Sequence, residues 1–482
     1  MAGSPQHAHW SSRWTFLLAA VGSAVGLGNI WKFPYEAGEG GGGAFVLVYL
    51  AFVFAVGLPV LIAELSLGRR GQLSPIGSMA KIANEEGRSK AWGLIGWSGV
   101  VGGFIVISFY SVVGGWVLAY LVKALSGFSG YDAAMSTQTF GTFVTDPVNP
   151  IIAHLVFLVI TIGIVARGVQ GGLEKAVTFL MPALFVLLVG MMIYSGVTGD
   201  FGGAVNFLFN PDFSKLNVGT VLQALGLAFF SLSLALGSIM TYGSYLTKDM
   251  NVPRSAVMIA AADSGVALMA GLAIFPIVFA YGLNPGQSVG LVFTTLPIAF
   301  GQMTGGAFVG TMFFFLLTVA AITSSISLLE PAVSYVEERT GIARNKVAIF
   351  IGGAAFLIGT LSAWGQSGNI LGDVQFTIAG TSYDIMGTKD FITNNIMMPL
   401  GGMFIAIFVG WFVSRKNMME ELAMEEGTFK IWLFLVRYVC PVAIGAVFVS
   451  IIWNTLVKEA ITCTWLGDRF DLVCRISEGM PM

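Results

Sequence analysis

The chain is predicted to be an all-α polytopic membrane protein, and three observations predict it. Of its 482 residues 56% are hydrophobic and only 10% charged, against about 25% charged in soluble domains, and its mean hydropathy is +0.82. Apolar runs long enough to cross a bilayer recur along the chain. Two of them, the first and the sixth, are interrupted at matching places in two halves. The net charge of −2 gives no footing for nucleic acid.

The runs of spanning length fall near 14–37, 43–68, 91–124, 151–167, 175–197, 220–246, 255–282, 306–336, 346–365, 391–414 and 430–456, which makes about eleven helices. The polar start, 1–13, is too short to be a domain, and the first run, followed by so many others, reads as a spanning helix and not as a signal peptide. Residues 14–197 hold helices 1–5, 198–219 a polar connection, 220–414 helices 6–10, 415–456 the eleventh helix, and 457–482 an extramembrane tail. Stretches 125–150 and 366–390 read as polar loops, and 286–302, with Leu296-Pro297, as a re-entrant or surface hairpin. The three cysteines, Cys440, Cys463 and Cys474, show no metal-ligand spacing. Cys463 and Cys474 could pair in an external tail or stay free thiols.

Basic residues fix the orientation. Arg69, Arg70, Lys81, Arg88 and Lys90 lie between helices 2 and 3; Arg167 and Lys175 between 4 and 5; Lys248 and Arg254 between 6 and 7; Arg339, Arg344 and Lys346 between 8 and 9; Arg415, Lys416 and Lys430 between 10 and 11. The opposite loops carry only Lys123, Lys215 and Lys389. This asymmetry places the N-terminus in the cytoplasm of a multi-pass plasma (inner) membrane protein.

The first run carries Gly22, Gly26 and Gly28 within seven residues, then Asn29. Each interior glycine costs a helix about 1 kcal/mol relative to Ala, and freed backbone groups in lipid must find partners. A helix weakened at mid-membrane is therefore a candidate binding site: carbonyls for a cation, N–H groups for an anion. A close-packing stripe of small residues is the competing explanation. The sixth run weighs against it, because Phe230-Ser231-Leu232-Ser233-Leu234-Ala235-Leu236-Gly237 interrupts the opening helix of the second half. Paired interruptions point to an inverted-repeat transporter with its site at the midplane.

The Gly22–Tyr35 stretch, the Glu39–Phe45 glycine run, the Phe229–Tyr245 stretch and Thr323-Ser324-Ser325 occur in that order. On these motifs the chain resembles a bacterial member of the neurotransmitter:sodium symporter family, similar to the bacterial leucine transporter, over about residues 10–456. The resemblance implies a LeuT-type fold of two inverted five-helix repeats with helices 1 and 6 broken. It also implies two Na⁺ sites. One uses the Ala24 carbonyl, Asn29, Ser231 and Asp263; the other uses the carbonyls of Gly22, Val25 and Ala320 with the hydroxyls of Thr323 and Ser324. Oxygen ligands suit a hard cation, and three adjacent hydroxyls in an apolar helix invite a ligand.

Asp263 stands out on physical grounds, since a carboxylate inside a membrane helix is costly unless it works. The family usually has Asn there, with a chloride-binding Ser or a Glu four residues on, where this chain has Ala267. Asp263 is therefore expected to supply the negative charge itself, making chloride unnecessary, and to carry a proton back when its sodium leaves.

By the same resemblance a substrate would lie among Ala24, Gly26, Leu27, Gly28, Val106, Tyr110, Phe230, Ser231, Ser233, Leu236 and Leu328. Gly26 replaces the Asp of amine transporters, so the substrate must bring its own carboxylate. That carboxylate would meet the N–H groups of Leu27 and Gly28, the Tyr110 hydroxyl and a sodium. Apolar Val106, Phe230, Leu236 and Leu328 predict a neutral, hydrophobic amino acid; Leu236 stands where the bacterial leucine transporter has an aromatic. Glu64 is expected to accept hydrogen bonds from unwound backbone. Glu330, before Pro331, is another buried acid whose partner the sequence does not name.

For the gates, Lys32 in place of the family's Arg is expected to pair with Asp390 above Tyr110 and Phe230, more loosely because it lacks the guanidinium fork. On the inner side Trp10 and Tyr245 match, but the residue facing Glu338 is His7 where the family has Arg. With an ordinary value near 6.5, His7 would strengthen inner closure on acidification. Gly172 and Pro182 match a glycine–nine–proline spacing in helix 5 that weakens its ladder.

The expected function is Na⁺-coupled symport of an amino acid. The alternative is a substrate-gated channel or an amino-acid sensor on the same fold. No nucleophile–base pair or phosphate-cradling loop supports an enzyme or a primary pump. The lipid bilayer and the amino acid are the partners; the oligomeric state is not legible.

Overall fold

The computed structural model describes residues 9–286, 290–367, 371–378 and 381–452. His7, the rest of the N-terminal segment before His9, and the tail with Cys463 and Cys474 lie outside the described residues.

Helices dominate. In chain order the spans are α1a (Arg13–Ala24) and α1b (Gly28–Glu39), α2 (Gly43–Gly71), α3 (Lys90–Leu125), α4 (Asn149–Val165), α5 (Val169–Thr198), α6a (Val218–Ser231) and α6b (Ser238–Ser244), α7 (Val252–Ala280), α8 (Gly306–Thr340), α9 (Arg344–Trp364), α10 (Ile385–Phe412) and α11 (Glu426–Ser450). Eight are individually long and apolar enough to cross a membrane, and α1a and α1b do so as a pair bent by 46°. With α4 and the broken α6 they make about eleven crossings, in the order predicted.

Four of these helices, α1b, α2, α10 and α11, share one device with a further short helix, Leu291–Gln302. A π-type turn at 28–32, 53–57, 291–295, 392–397 or 435–439 is followed two residues later by Pro34, Pro59, Pro297, Pro399 or Pro441. Proline lacks an N–H and its ring crowds the carbonyl one turn back. A turn wound one residue wider opens that turn and makes the missing donor tolerable.

The core is asymmetric. In its most apolar window α8 is 89% buried, whereas α5 is only 28% buried. Helix α8 is therefore the central post, packed along α3, and α5 presents Phe179, Val186 and Val197 outward, a face suited to lipid.

Both predicted breaks are present. Helix α1a starts with a capping box, the Ser12 hydroxyl accepting from the Thr15 N–H at 3.2 Å. It ends where Val25 turns to an extended backbone (φ −74°, ψ 101°). Between α6a and α6b, Ser233, Ala235 and Gly237 all have positive φ (53°, 60° and 77°). For Ser233 and Ala235 this costs on the order of 1–2 kcal/mol each, so tertiary contacts must hold them. Glu64 supplies one: its Oε1 accepts from the Ala235 N–H at 2.6 Å.

Several connections carry more structure than the sequence reading gave them. Within 125–150 a helix Ala133–Thr145 starts on Asp132, whose carboxylate accepts from the Met135 N–H at 2.7 Å. Within 199–218 a helix Phe201–Phe209 starts on Asp200. The stretch 366–390 holds an antiparallel pair, β1 (Phe376–Ile378) with β2 (Thr381–Tyr383), Phe376 opposite Tyr383. The segment read as a hairpin at 286–302 is instead one buried helix over Leu291–Gln302, with Phe293 stacked on Phe140 at 5.1 Å. The Leu296-Pro297 pair suggested a reversal, but the wide turn before it lets the helix run on.

Candidate functional site

The broken helices, α7 and α8 bring two oxygen clusters and one cavity to the middle of the bundle. The first cluster surrounds Asp263, which is fully buried. The Asn29 amide donates to Asp263 Oδ1 at 2.7 Å and to its carbonyl at 3.1 Å. Ser231 and Tyr49 hydroxyls donate to Oδ2 at 3.0 and 3.3 Å. Asn29 Oδ1 in turn accepts the Gly26 N–H at 3.1 Å, so one side chain ties the helix 1 break to the α7 acid. These partners are all neutral. A buried carboxylate held only by neutral donors gains most from a cation beside it. Tyr49 was not foreseen; a lone tyrosine in an apolar run carries no sequence signal.

The second cluster lies where α1a meets α8. Ser324 Oγ is 3.4, 3.3 and 3.5 Å from the carbonyls of Gly22, Ser23 and Val25. All three contacts exceed the 2.7–2.8 Å typical of hydroxyl hydrogen bonds, so no single bond captures the hydroxyl. Thr323 Oγ1 donates to the Ala320 carbonyl at 3.0 Å, and Gly22 abuts the Thr323 side chain. Carbonyls and hydroxyls of this kind can hold a hard monovalent cation. Ser325, the third hydroxyl of the run, faces away and meets Thr161 of α4 at 2.8 Å.

The cavity between the clusters is lined by ten of the eleven residues singled out for it, together with Ser23 and Ser324. The exception is Ser231, whose hydroxyl turns to Asp263. Tyr110 accepts the Leu27 N–H at 3.3 Å, and the Ser233 hydroxyl donates to the Ser23 carbonyl at 2.9 Å, joining the two breaks. Its free volume is about 20 Å³, roughly the room of one water molecule. A larger cavity of about 260 Å³ lies directly beyond, and Leu27, Tyr110 and Phe230 line both. These residues are the partition between the two.

Lys32 sits at that partition. Its ammonium is 3.8 Å from Asp390 Oδ2, 3.9 Å from Glu36 Oε1 and 4.9 Å from the Phe230 ring centre. The sharing of one lysine between two acids was not anticipated, because Glu36 reads as one more polar residue at a helix end.

At the end of the bundle that carries the basic loops, Trp10 donates its backbone N–H to the Tyr245 carbonyl at 3.2 Å and its indole N–H to the Tyr242 carbonyl at 3.0 Å. Tyr245 donates to Glu330 Oε1 at 2.6 Å. The partner of Glu330 that the sequence left unnamed is Arg344, which also bonds Glu337 at 3.0 Å and the Val165 carbonyl. Arg344 had served only as a loop charge. Glu338, expected to face the N-terminus, accepts the Ser74 N–H at 2.6 Å and so caps the helix Pro75–Glu85. Gly172 lies in the wide turn Val169–Leu173 that opens α5, and Pro182 lies inside the continuing helix.

The model of the sodium:neurotransmitter symporter family matches residues 7–132 and 134–465. An uncharacterized sodium-dependent transporter of Bacillus subtilis, YhdH, is 39% identical over 92% of this chain and 97% of its own length. One from Haemophilus influenzae is 34% identical over 92% of this chain and 98% of its own. The crystal structure of MhsT in complex with L-phenylalanine superposes with a TM-score of 0.86 at 41% identity, covering 92% of this chain and 99% of that one. The bundle therefore has the LeuT-type fold with helices 1 and 6 broken, it works as a transporter and not as an enzyme, and the chain belongs to the sodium:neurotransmitter symporter family.

Proposed function

We propose that the protein is a Na⁺-coupled, chloride-independent symporter of a neutral, hydrophobic α-amino acid, working by alternating access. The observation that carries the reading is the seating of an apolar-walled cavity between two oxygen clusters at the helix breaks. An amino acid is zwitterionic, and the breaks offer both complements: N–H groups at the start of α1b for its carboxylate, carbonyls at the ends of α1a and α6a for its amine. Val106, Phe230, Leu236 and Leu328 would face its side chain. The bound phenylalanine of MhsT agrees with that chemistry.

One sodium would lie with Ala24, Asn29, Ser231 and Asp263, against the substrate carboxylate. The other would lie with Gly22, Val25, Ala320, Thr323 and Ser324. Each ligand favours the helix geometry that the others need, so their binding free energies are coupled reciprocally. Asp263 supplies the fixed negative charge for which chloride would otherwise be needed. Residues 14–197 and 220–414 are the two repeats, and the basic end faces the cytoplasm, so Lys32 and Asp390 gate the outer path and Trp10 and Tyr245 the inner one. The buried oxygen ligands gather in one band at the helix breaks, which favours a transporter over a channel, since a channel needs a continuous polar path.

The test is uptake of labelled L-phenylalanine and other neutral amino acids into proteoliposomes. Uptake should saturate and require a Na⁺ gradient. Equal uptake with K⁺ in place of Na⁺, or flux that never saturates, would sink the reading.

A further inference from the structure

We propose that Glu174 is the latch of the inner gate: its carboxylate clasps the start of α1a, and release of that clasp opens the cytoplasmic path. The proposal rests on the symport reading in one respect, that only a transporter needs this end to open.

The clasp is specific. Glu174 Oε1 accepts the Ser11 N–H at 2.6 Å and the Thr15 hydroxyl at 3.3 Å, while Oε2 accepts the Ser11 hydroxyl at 2.7 Å. Gln170 adds a bond from its amide to the His9 carbonyl at 3.1 Å. Three residues at the head of α1a are thus tied to one short stretch of α5. The carboxylate is itself buried, and charge-assisted bonds of this kind are about twice as strong as neutral ones. It also stands at the N-terminus of α1a, where the helix dipole favours negative charge.

The location makes the clasp a switch. Glu174 is the first residue after the wide turn Val169–Leu173. Within that turn a Cβ at Gly172 would come 2.0 Å from the Ile164 carbonyl, so the turn is pressed against the end of α4 and any uncoiling carries Glu174 with it. On the other side, α1a is a single 12-residue helix. Its far end presents the Gly22, Ser23 and Val25 carbonyls to Ser324. A sodium holding those carbonyls holds the head of α1a against Glu174, and its departure frees both. Glu338 accepts the Ser74 N–H at 2.6 Å, and among the described residues it is the carboxylate of Glu174 that holds the head of α1a, as a positioning residue.

The test is hydrogen–deuterium exchange of the purified full-length protein in Na⁺ and in K⁺, parent against Glu174→Gln. The expected result is exchange about tenfold faster over residues 9–24 in E174Q, in line with loss of bonds to a charged group, with 28–36 and 385–394 unchanged. Na⁺ should slow exchange over 9–24 in the parent and do so less in E174Q. Equal exchange over 9–24 in the two proteins overturns the proposal. If E174Q loosens every segment alike, Ser11→Ala decides, because it leaves the carboxylate in place: faster exchange confined to 9–24 supports the latch, and unchanged exchange overturns it. Should Na⁺ leave the parent unchanged while E174Q still speeds 9–24, the clasp stands and its coupling to sodium, which comes from the symport reading, fails.

Discussion

Asn29 of the broken helix 1 donates to Asp263 of α7 across 2.7 Å, and the same side chain receives the Gly26 N–H at 3.1 Å. One amide therefore orients the fixed charge of the site and caps the break at which substrate would bind. Among the described residues Asp263 has only neutral partners, so under the proposed symport its counter-charge would arrive and leave with sodium. Asp263→Asn keeps the shape and removes the charge. A hydrogen-bonded charge is worth about 1.5–3 kcal/mol, so the half-saturating Na⁺ concentration should rise by about tenfold or more. The parent should transport equally in chloride and in gluconate. Strong chloride dependence of the parent, or unchanged Na⁺ activation in the variant, would contradict the assigned role.

Gly26 probes the join between cavity and oxygen cluster. A Cβ there would stand 2.2 Å from Ser324 Oγ and 3.1 Å from the Tyr110 hydroxyl. Ser324 would have to leave the α1a carbonyls to make room. Gly26 is not among the positive-φ glycines, so alanine meets no backbone strain there and the bundle should still assemble. The expected outcome for Gly26→Ala is a folded protein whose melting temperature no longer rises with Na⁺ and whose uptake is lost. A Na⁺-dependent rise equal to the parent's would show that the Ser324 cluster holds no sodium.

The spans and both breaks were legible because their causes are local: apolar length for one, Gly, Ser and Asn inside it for the other. Asp263 and the Thr323–Ser325 run stand out in the sequence for the same reason, since an acid or three hydroxyls inside a membrane helix have few explanations, whereas the backbone carbonyls and the apolar lining come only from the family resemblance. What escaped depended on distance in space. Tyr49, Glu36 and Glu174 look ordinary until folding brings them to Asp263, Lys32 and Ser11. Arg344 and Lys389 were read as loop charges because helix ends are where solvated charges also sit. The helix Leu291–Gln302 was missed because Pro297 signals a break unless a wide turn absorbs it, and the pattern of such turns shows only in the backbone.

Glu86 gives a pH test away from the bilayer. It joins the end of the helix Pro75–Glu85 to the α10–α11 connection: its carboxylate accepts from the Asn417 amide at 2.8 Å and the Ser414 N–H at 3.0 Å, and pairs with Arg70 at 2.6 Å. Partial burial alone would raise its pKa, but the bonds from Asn417, Arg70 and Ser414 outweigh it and hold the group below the ordinary carboxylate value. A depressed folded value stabilises the protein above the unfolded pKa of about 4.3, and that stability is lost as pH falls through the folded value. Glu86→Gln should therefore cost about 1–3 kcal/mol at pH 7, read as a lower melting temperature, with the gap to the parent closing below about pH 4. A gap that stays constant across that range would mean that the charge is not what matters.

Lys389 and Asp390 are neighbours in sequence and reach in opposite directions. Asp390 extends to Lys32 of α1b, 3.8 Å away, while Lys389 donates to the Ile358 carbonyl and the Ser362 hydroxyl of α9, both at 2.8 Å, and lies 3.4 Å from the Ser108 hydroxyl of α3. No carboxylate pairs with this half-buried ammonium among the described residues, so carbonyl and hydroxyl oxygens offset its partial desolvation. The lysine ties the start of α10 to the scaffold helices, and under the proposed alternating access it would hold Asp390 in place as the acid of the outer gate. Lys389→Met keeps the stem and removes the anchor. Bound amino acid should then dissociate to the outside about three- to tenfold faster, as it should in Asp390→Asn, since exposed or half-exposed pairs are worth only about 0.2–1 kcal/mol and the anchor adds charged hydrogen bonds to that. The double variant separates two mechanisms. If Lys389 acts through Asp390, combining the changes costs little more than Asp390→Asn alone, the non-additivity expected of residues in one network. Effects that multiply would mean that Lys389 holds α10 for some purpose other than the gate.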